Sequence, residues 1–292
     1  QYYAERNTVT RIRQKSADLR HVVQTALERN RKKYDLQSKQ LKGTEKRDKY
    51  KVYGELINTY GYNLEPGSKE LTALNYYTNE EITIPLDPTQ TPGENAQRYF
   101  AKYNKQKRTF EALTELIQET ADDIQYLESI SNALDIALSE ADLAQIKEEL
   151  MQSGYIRRKH TKKKVKLTSK PMHYISSDGY DMYVGKNNLQ NEELTFSFAN
   201  GNDWWFHAKG APGSHVIVKS GGDELPDRTF EEAGRLAAYY SKNRGADKVE
   251  IDYIQKKHVK KPNGAKPGFV VYYTNYSLVI DSDISNIKNV QD

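Results

Sequence analysis

The feature that most limits how this chain can fold is a heptad ladder between Thr91 and Ala141. Tyr103, Phe110, Ile117, Ile124, Ser131 and Leu138 fall on one position, and Leu113, Thr120, Leu127, Leu134 and Ala141 fall three residues later. A repeat of seven kept over five heptads calls for one long helix whose apolar stripe is covered by another helix, in the manner of a coiled coil. Thr91-Pro92 followed by Glu94 supplies a helix start, with proline in the first turn and an acid near the positive end of the helix dipole. A partner is available upstream. Val9, Ile12, Leu19, Val23 and Ala26 recur at helical intervals, and Leu27, Tyr34 and Leu41 continue at sevens, which predicts a long helix to about Lys42. Gly43 interrupts it, and Lys46 to Tyr60 reads as a second piece.

Two such helices in one chain imply an antiparallel arm. Between them, β-rich runs at Leu71 to Tyr77 and Ile82 to Leu86 predict a small hairpin at its tip. A short helix from Ser139 to Ser153 then closes this half at Gly154.

The next segment is basic. From Met151 to Ser177 there are eight Lys or Arg and no acid, although the whole chain carries a net charge of only +4. A run of this kind is either a solvated linker or a track for a phosphate backbone; Arg157, Arg158, Lys162, Lys163 and Lys164 are its candidate contacts. Beyond it the pattern changes to short strands, expected at 173–176, 181–184, 204–207, 215–219, 249–254, 269–273 and 277–280. One helix stands among them. Thr229 to Glu232 has the form of a capping box, Ala233, Leu236, Ala237 and Tyr240 form its stripe, and Gly245 is the stop signal. The organisation is therefore α+β in two parts: a coiled-coil arm and middle region over 1–154 with a hairpin near 71–86, a basic linker over 155–169, and a compact α/β domain over 170–292.

The chain's only two tryptophans are adjacent, in NDWWFHAKGAPGSHVIVKS. Strand alternation places Trp204 and Phe206 on one face and Trp205 and His207 on the other, so one face is expected to be less buried, and Trp205 becomes a candidate for stacking on an unpaired base. The AKGAPGS connection allows a sharply shaped loop with exposed amides. If its flanking strands pair, His207 and His215 come together, with Lys209 and Ser214 beside them. A second long connection, QKKHVKKPNGAKPG, carries Lys256, Lys257, His258, Lys260, Lys261 and Lys266. Long loops within compact domains are usually functional, and a lysine cluster suits phosphate neutralisation.

Several chemistries find no footing. The absence of cysteine excludes thiolate metal sites and disulfides. His207 and His215 lack a third ligand at recognisable spacing, and no HExxH or Walker motif occurs. Ser214 has no base and acid partners beyond His215, so catalysis, metal binding and cofactor binding are not expected. No apolar run approaches the length of a membrane span, and the QYYAERNTVT start, without Met or a signal pattern, reads as the beginning of a fragment.

Three strings, DWWFHAKGAPGSHVIV, KKHVKKPNGAKPGFVVYY and ITIPLDPTQTPGENAQRYFAKYNK, closely resemble the C-terminal half of the NFACT family. Asp203, Trp205, His207, Pro212, Gly213, Ser214 and His215 match the family's D-x-W-x-H-A-K…P-G-S-H hallmark, while Trp204 stands where an aliphatic residue is common. The resemblance implies a coiled-coil and middle region followed by an RNA-contacting domain termed NFACT-R. It also implies a cytoplasmic protein that binds the large ribosomal subunit with stalled peptidyl-tRNA, contacts rRNA and tRNA, and supports tRNA-dependent tailing of the nascent chain. The family's tRNA-reading N-terminal domain and helix-hairpin-helix module have no counterpart in these residues, so the expectation is binding without elongation. A rival expectation from the same resemblance is adhesion: a fibronectin-binding protein at the surface of a Gram-positive bacterium.

Overall fold

The computed structural model describes residues 2–157 and 166–290, with side chains from Asn7 onward. By compactness the chain divides into two units, one formed by the residues up to Arg29 together with those from Ile124 on, the other by Asn30–Asp123. Three long helices run through these units: α1 (Tyr2–Lys15), α2 (Ala17–Lys42) and α4 (Pro92–Ile136).

In the Asn30–Asp123 unit, α3 (Asp48–Tyr60) and a two-stranded antiparallel sheet, β1 (Glu70–Asn75) with β2 (Glu80–Pro85), pack on the first turns of α4. Their core is Leu56, Ile57, Leu71, Ala73, Ile84, Leu86, Ala96 and Tyr99. The start of α4 is the one its sequence announces. Thr91 and Glu94 form a reciprocal cap, with the Glu94 amide donating to Thr91 Oγ1 at 3.2 Å and the Thr91 amide to Glu94 Oε2 at 2.8 Å. The heptad position occupied by Leu113 and Thr120 is buried, and Thr120 Oγ1 donates to Gln37 Oε1 of α2 at 2.9 Å.

In the other unit the first helices and the end of α4 share a core of Ile12, Leu19, Val23, Ala26, Leu27, Leu127, Ile130 and Leu134. The expected single helix to Lys42 is broken at Ser16, whose hydroxyl bonds the Arg13 carbonyl and accepts from Arg20 Nε, both at 2.9 Å. α4 also stops before the heptads do. Leu138 lies beyond its end and is half exposed, because Ser139 starts α5 (Glu140–Gln152) with a capping box closed by Asp142.

The sheet of this unit has seven strands in the order β8-β7-β5-β6-β4-β3-β9, every neighbouring pair antiparallel. They are β3 (Met172–Ile175), β4 (Asp181–Val184), β5 (Trp204–Ala208), β6 (Val216–Val218), β7 (Val249–Gln255), β8 (Tyr276–Ile280) and β9 (Lys288–Asn289). Helix α7 (Asp227–Tyr239) covers one face with Ala233, Leu236 and Ala237. It lies close because Gly234 faces β8: a Cβ there would come within 2.9 Å of Leu278. The opposite face is covered by α6 (Asn188–Glu193), a π-helical turn at Leu194–Phe198, and the connection that leaves β7.

Three local expectations need correction. Thr229 and Glu232 do not cap α7, which begins after Pro226; Thr229 bonds Asp178 at 2.9 Å and Glu232 accepts the Ser177 amide at 2.8 Å, so both tie the helix to the β3–β4 turn. Gly245, although at φ +88°, lies past a turn that follows the helix rather than at its end. Residues 269–273 form no strand, only a single bridge between Val271 and Lys260. Compactness also divides the chain elsewhere than at the composition change near 154, because α5 is bonded to the sheet domain: Asp142 to Lys186 at 3.2 Å, Gln145 to Asn187 at 2.9 Å, Glu149 to Asn188 at 2.8 Å.

Candidate nucleic-acid interface

β5 is an interior strand of a sheet covered on both sides at this point, and this decides the fate of its side chains. In register, Trp205 lies between Ile217 of β6 and Ile254 of β7. Phe206 points into the α7 face and is fully buried; Trp205 points into the opposite face and is fully buried as well. The expectation that one face would be open is wrong, and Trp205 is not a stacking residue: its ring is enclosed by Tyr272 at 4.9 Å, His215 at 5.2 Å and His207 at 5.7 Å. Its indole Nε1 has no hydrogen-bond partner among the described residues. Trp204, on the α7 side, keeps partial exposure among Phe230, Tyr253 and Tyr276.

The two histidines meet as the hairpin predicts, with ring centroids 5.6 Å apart and planes at 89°. They are not cations. Burial pushes the His215 imidazole down to about 3, with His207 opposing its charge further, and burial lowers His207 too. His215 is 3% exposed; its Nδ1 is 2.8 Å from Thr195 Oγ1, and its amide donates to Asn191 Oδ1 at 3.0 Å. Ser214 is equally buried, its amide bonded to the Tyr240 carbonyl at 3.1 Å. The amides of Ser214 and His215 are thus engaged inside the protein, and Ser214 and His215 are framework rather than contact residues. Asp203, at the start of the hallmark, has a similar role. It is 2% exposed in its side chain, pairs with Lys219 at 2.6 Å, and accepts the amides of Asn200 and Ser220 at 2.7 and 3.0 Å.

The lysine connection behaves differently. Val259, Val270 and Tyr272 anchor it against the sheet face that bears Trp205, His207 and His215, so both informative segments lie on one side of the sheet. Its far end is fixed by Gly268, at φ +77°, where a Cβ would come within 2.8 Å of Asn188 Oδ1 and where the amide donates to Glu192 Oε2 at 2.9 Å. Asn188 in turn donates to Glu149 Oε1 at 2.8 Å, which also accepts from Tyr126 at 2.9 Å. Burial pushes the Glu149 carboxyl up to about 7, and its Oε2 has no hydrogen-bond partner among the described residues.

On this anchored loop Lys257, His258, Lys260 and Lys261 are exposed, while Lys256 and Lys266 are half-buried. Lys261 is paired with Glu192, and Lys266 lies 5.0 Å over the Tyr126 ring. Lys256, Lys257 and Lys260 carry no ion pair among the described residues. Lys209 is exposed and paired with Glu250 at 2.5 Å. Arg157 is exposed, and Arg158, Lys162, Lys163 and Lys164 lie outside the described residues. Sequence reasoning missed Tyr273, which is 75% exposed two residues after the bridge to Lys260; its signal was the tyrosine pair closing PGFVVYY. Asp252 alternates in sequence with Val249, Ile251 and Tyr253, a pattern that by itself reads as a solvated position, yet it is buried and accepts from Tyr272 at 2.9 Å and Ser277 at 2.7 Å.

Among the described residues no group of three His, Cys, Asp or Glu is placed to hold a metal, and no helix is long and apolar enough to cross a membrane. The class this defines is an α+β protein with a two-sided antiparallel sheet and a rigidly anchored cationic loop. Residues 1–169 match the model of the NFACT N-terminal and middle domains, and residues 170–273 match that of the NFACT protein RNA binding domain. The chain belongs to the NFACT family. It is 40% identical over 291 residues to the Rqc2 homolog RqcH of Streptococcus pneumoniae serotype 2, covering 99% of this chain and 52% of that protein. To the protein of the same name from Bacillus subtilis it is 39% identical, over 95% of this chain and 49% of the relative. The chain therefore spans about half the length of these curated relatives. Among solved structures it resembles the C-terminal part of the fibronectin/fibrinogen-binding protein of Streptococcus suis, with a TM-score of 0.74 and 38% identity, covering 95% of this chain and 99% of that one.

Proposed function

We propose that this chain is the ribosome-contacting half of a bacterial ribosome quality-control factor, binding RNA through the loop between β7 and β8. The observation that carries this is the coincidence of the RNA-binding family domain with three lysines that have no ion pair among the described residues, Lys256, Lys257 and Lys260, on a loop fixed at both ends. Fixed cations lose little conformational freedom on meeting phosphates and release counterions when they do, so binding weakens steeply with salt. Tyr273 takes the stacking role first assigned to Trp205. In this reading the RNA belongs to a large subunit holding stalled peptidyl-tRNA, the long helices act as a coiled-coil arm, and the whole factor supports tailing with tRNA while these residues bind without catalysing. Such a role places the protein in the cytoplasm.

The test is co-sedimentation with purified large subunits over a salt series. Binding is expected at low salt and lost at high salt, and the variant carrying Lys256→Glu, Lys257→Glu, Lys260→Glu and Lys261→Glu should stay in the supernatant. Sedimentation of that variant equal to the parent would overturn the proposal. The solved relative's description as a fibronectin/fibrinogen-binding protein favours a second reading, adhesion, which predicts saturable binding to immobilised fibronectin that survives ribonuclease.

A further inference from the structure

A cleft of about 420 Å³ opens between α3, α4 and the end of β2, lined by Lys49, Tyr50, Tyr53, Arg98, Tyr99 and Lys102. α3 contributes one cation and two tyrosines and α4 two cations and one tyrosine, each set from about one turn. The Tyr50 and Tyr99 rings are nearly parallel, 13° apart with centroids at 6.0 Å, and Tyr53 stands edge-on to both, at 6.3 and 5.2 Å. Tyr99 is the fixed member: it is 7% exposed and its hydroxyl donates to the Pro85 carbonyl. The others keep partial exposure.

The cations around these rings are under-used. Lys102 Nζ lies 4.2 Å and Lys49 Nζ 5.0 Å from the Tyr50 centroid, and Arg98 Cζ lies 5.6 Å from that of Tyr99. Neither Lys49 nor Lys102 has an ion pair among the described residues, and Arg98 reaches only Asp87, at 3.5 Å, a carboxylate already bonded by Thr89. The hydrogen bond and charge of Lys102, with Lys49 behind it, hold the Tyr50 hydroxyl below the ordinary phenol range, as a locally positive field requires. Ammonium groups resting on exposed rings are exchangeable: a planar ring entering the cleft displaces them, and an anion carried by that ring receives them.

We propose that this cleft binds an unpaired, phosphate-bearing nucleotide of an RNA strand, the base against the tyrosines and the phosphate between Lys49 and Lys102. Aromatic faces beside unpaired cations suit a base joined to a phosphate better than a bare anion or an acidic peptide, either of which would leave the rings unused. The volume falls within the range of roughly 300–1,000 Å³ typical of small-ligand sites. The ligand class rests on the RNA-contacting reading above; the site does not, since none of its residues belongs to the lysine loop.

The test uses the purified chain and a fluorescein-labelled, 5′-phosphorylated oligouridylate of roughly ten residues, a length in the range that single-strand binders cover. Ultraviolet crosslinking followed by peptide mapping should place RNA on peptides bearing Tyr50, Tyr53 or Tyr99. These crosslinks should persist when Lys257→Glu and Lys260→Glu disable the loop, and disappear in the Lys49→Glu/Lys102→Glu variant, with affinity by anisotropy reduced roughly fivefold or more. Lys102→Ala, which removes one exposed charge, is the second variant if the double one fails to fold, and should weaken the same crosslinks. Crosslinks confined to residues 255–275, or unchanged by either cleft variant, would overturn the cleft and spare the loop. Loss of all RNA binding from the loop variant, with no crosslink at the tyrosines, does the same. Crosslinks only at the tyrosines would sink the loop reading instead, and no RNA binding by the parent chain sinks both. Equal competition by inorganic phosphate or by a phosphotyrosine peptide would show an anion or peptide site and also overturn the proposal.

Discussion

Around β5 and β6 the two faces of the seven-stranded sheet are both covered but differently made. The α7 face is aliphatic and aromatic: Phe206, Val216, Val218, Ala233, Leu236 and Ile251 meet there, with the buried Tyr174–Tyr240 hydroxyl pair as a polar contact. On the other face Trp205, Ile217 and Ile254 share the space with His207, His215, Thr195 and Asn191, under a cover of short helix, π-turn and loop. An apolar face can be covered by any amphipathic helix, whereas a polar-laced face requires a cover whose groups answer each donor and acceptor. The loop between β7 and β8 meets this face with Val259, Val270 and Tyr272 and with part-buried hydrogen bonds at Gly268 and Tyr272, and the exposed lysines ride on it.

The sharpest way to break this contrast is Trp205→Ala. It opens a cavity under the loop and should cost about 3–5 kcal/mol in chemical denaturation, as much as Phe206→Ala on the helical face. A loss near zero would mean that the loop merely rests on the sheet. A second measurement concerns acid. Because His215 and His207 are neutral when folded and titrate below their unfolded value, they contribute fully above about pH 6.5, and stability falls as pH drops from there toward 3, the folded value for His215. Melting temperatures should decline over that window, and the His215 imidazole should remain neutral by NMR at pH 5; titration near its ordinary value would refute the burial of His215.

Glu149 has the opposite sign. Its folded value, about 7, lies above its unfolded one, so its protonated form stabilises below about pH 4.5 and the benefit is lost as pH rises through 7. Glu149→Gln should therefore be on the order of 1–2 kcal/mol more stable than the parent at pH 8 and nearly equal to it at pH 5. The smallest stability effect belongs to the exposed lysines. Lys257→Glu with Lys260→Glu should stay within about 0.5 kcal/mol of the parent in a thermal melt while losing RNA affinity, which separates what the loop does from what holds it.

Much of the architecture is legible because periodicity survives without context. The heptads from Tyr103 to Leu134 give α4, Ser139 and Asp142 start α5, and strand alternation locates β4, β5, β7 and β8 within a residue or two. The failures share a cause. Trp205, Asp252, Thr229 and Glu232 were each assigned from neighbours in sequence, yet each is committed to a partner far along the chain: Tyr272, Ser277, Asp178 and Ser177. At the candidate site the lysines were readable, since exposed charge needs no partner to be recognised, but which were free was not, because Glu192 and Glu250 come from other elements.

By itself the sequence determined the long helices, most of the strands, that the loop after β7 is basic, and that the chain resembles one family, since these depend on spacing and residue type along the backbone. Only the tertiary structure decided that Trp205 and Phe206 are both fully buried on opposite faces, that His207 and His215 are neutral, and that Lys49 and Lys102 converge on three tyrosines. Burial and protonation are properties of the surroundings, and the surroundings of a side chain here are supplied by segments tens of residues away.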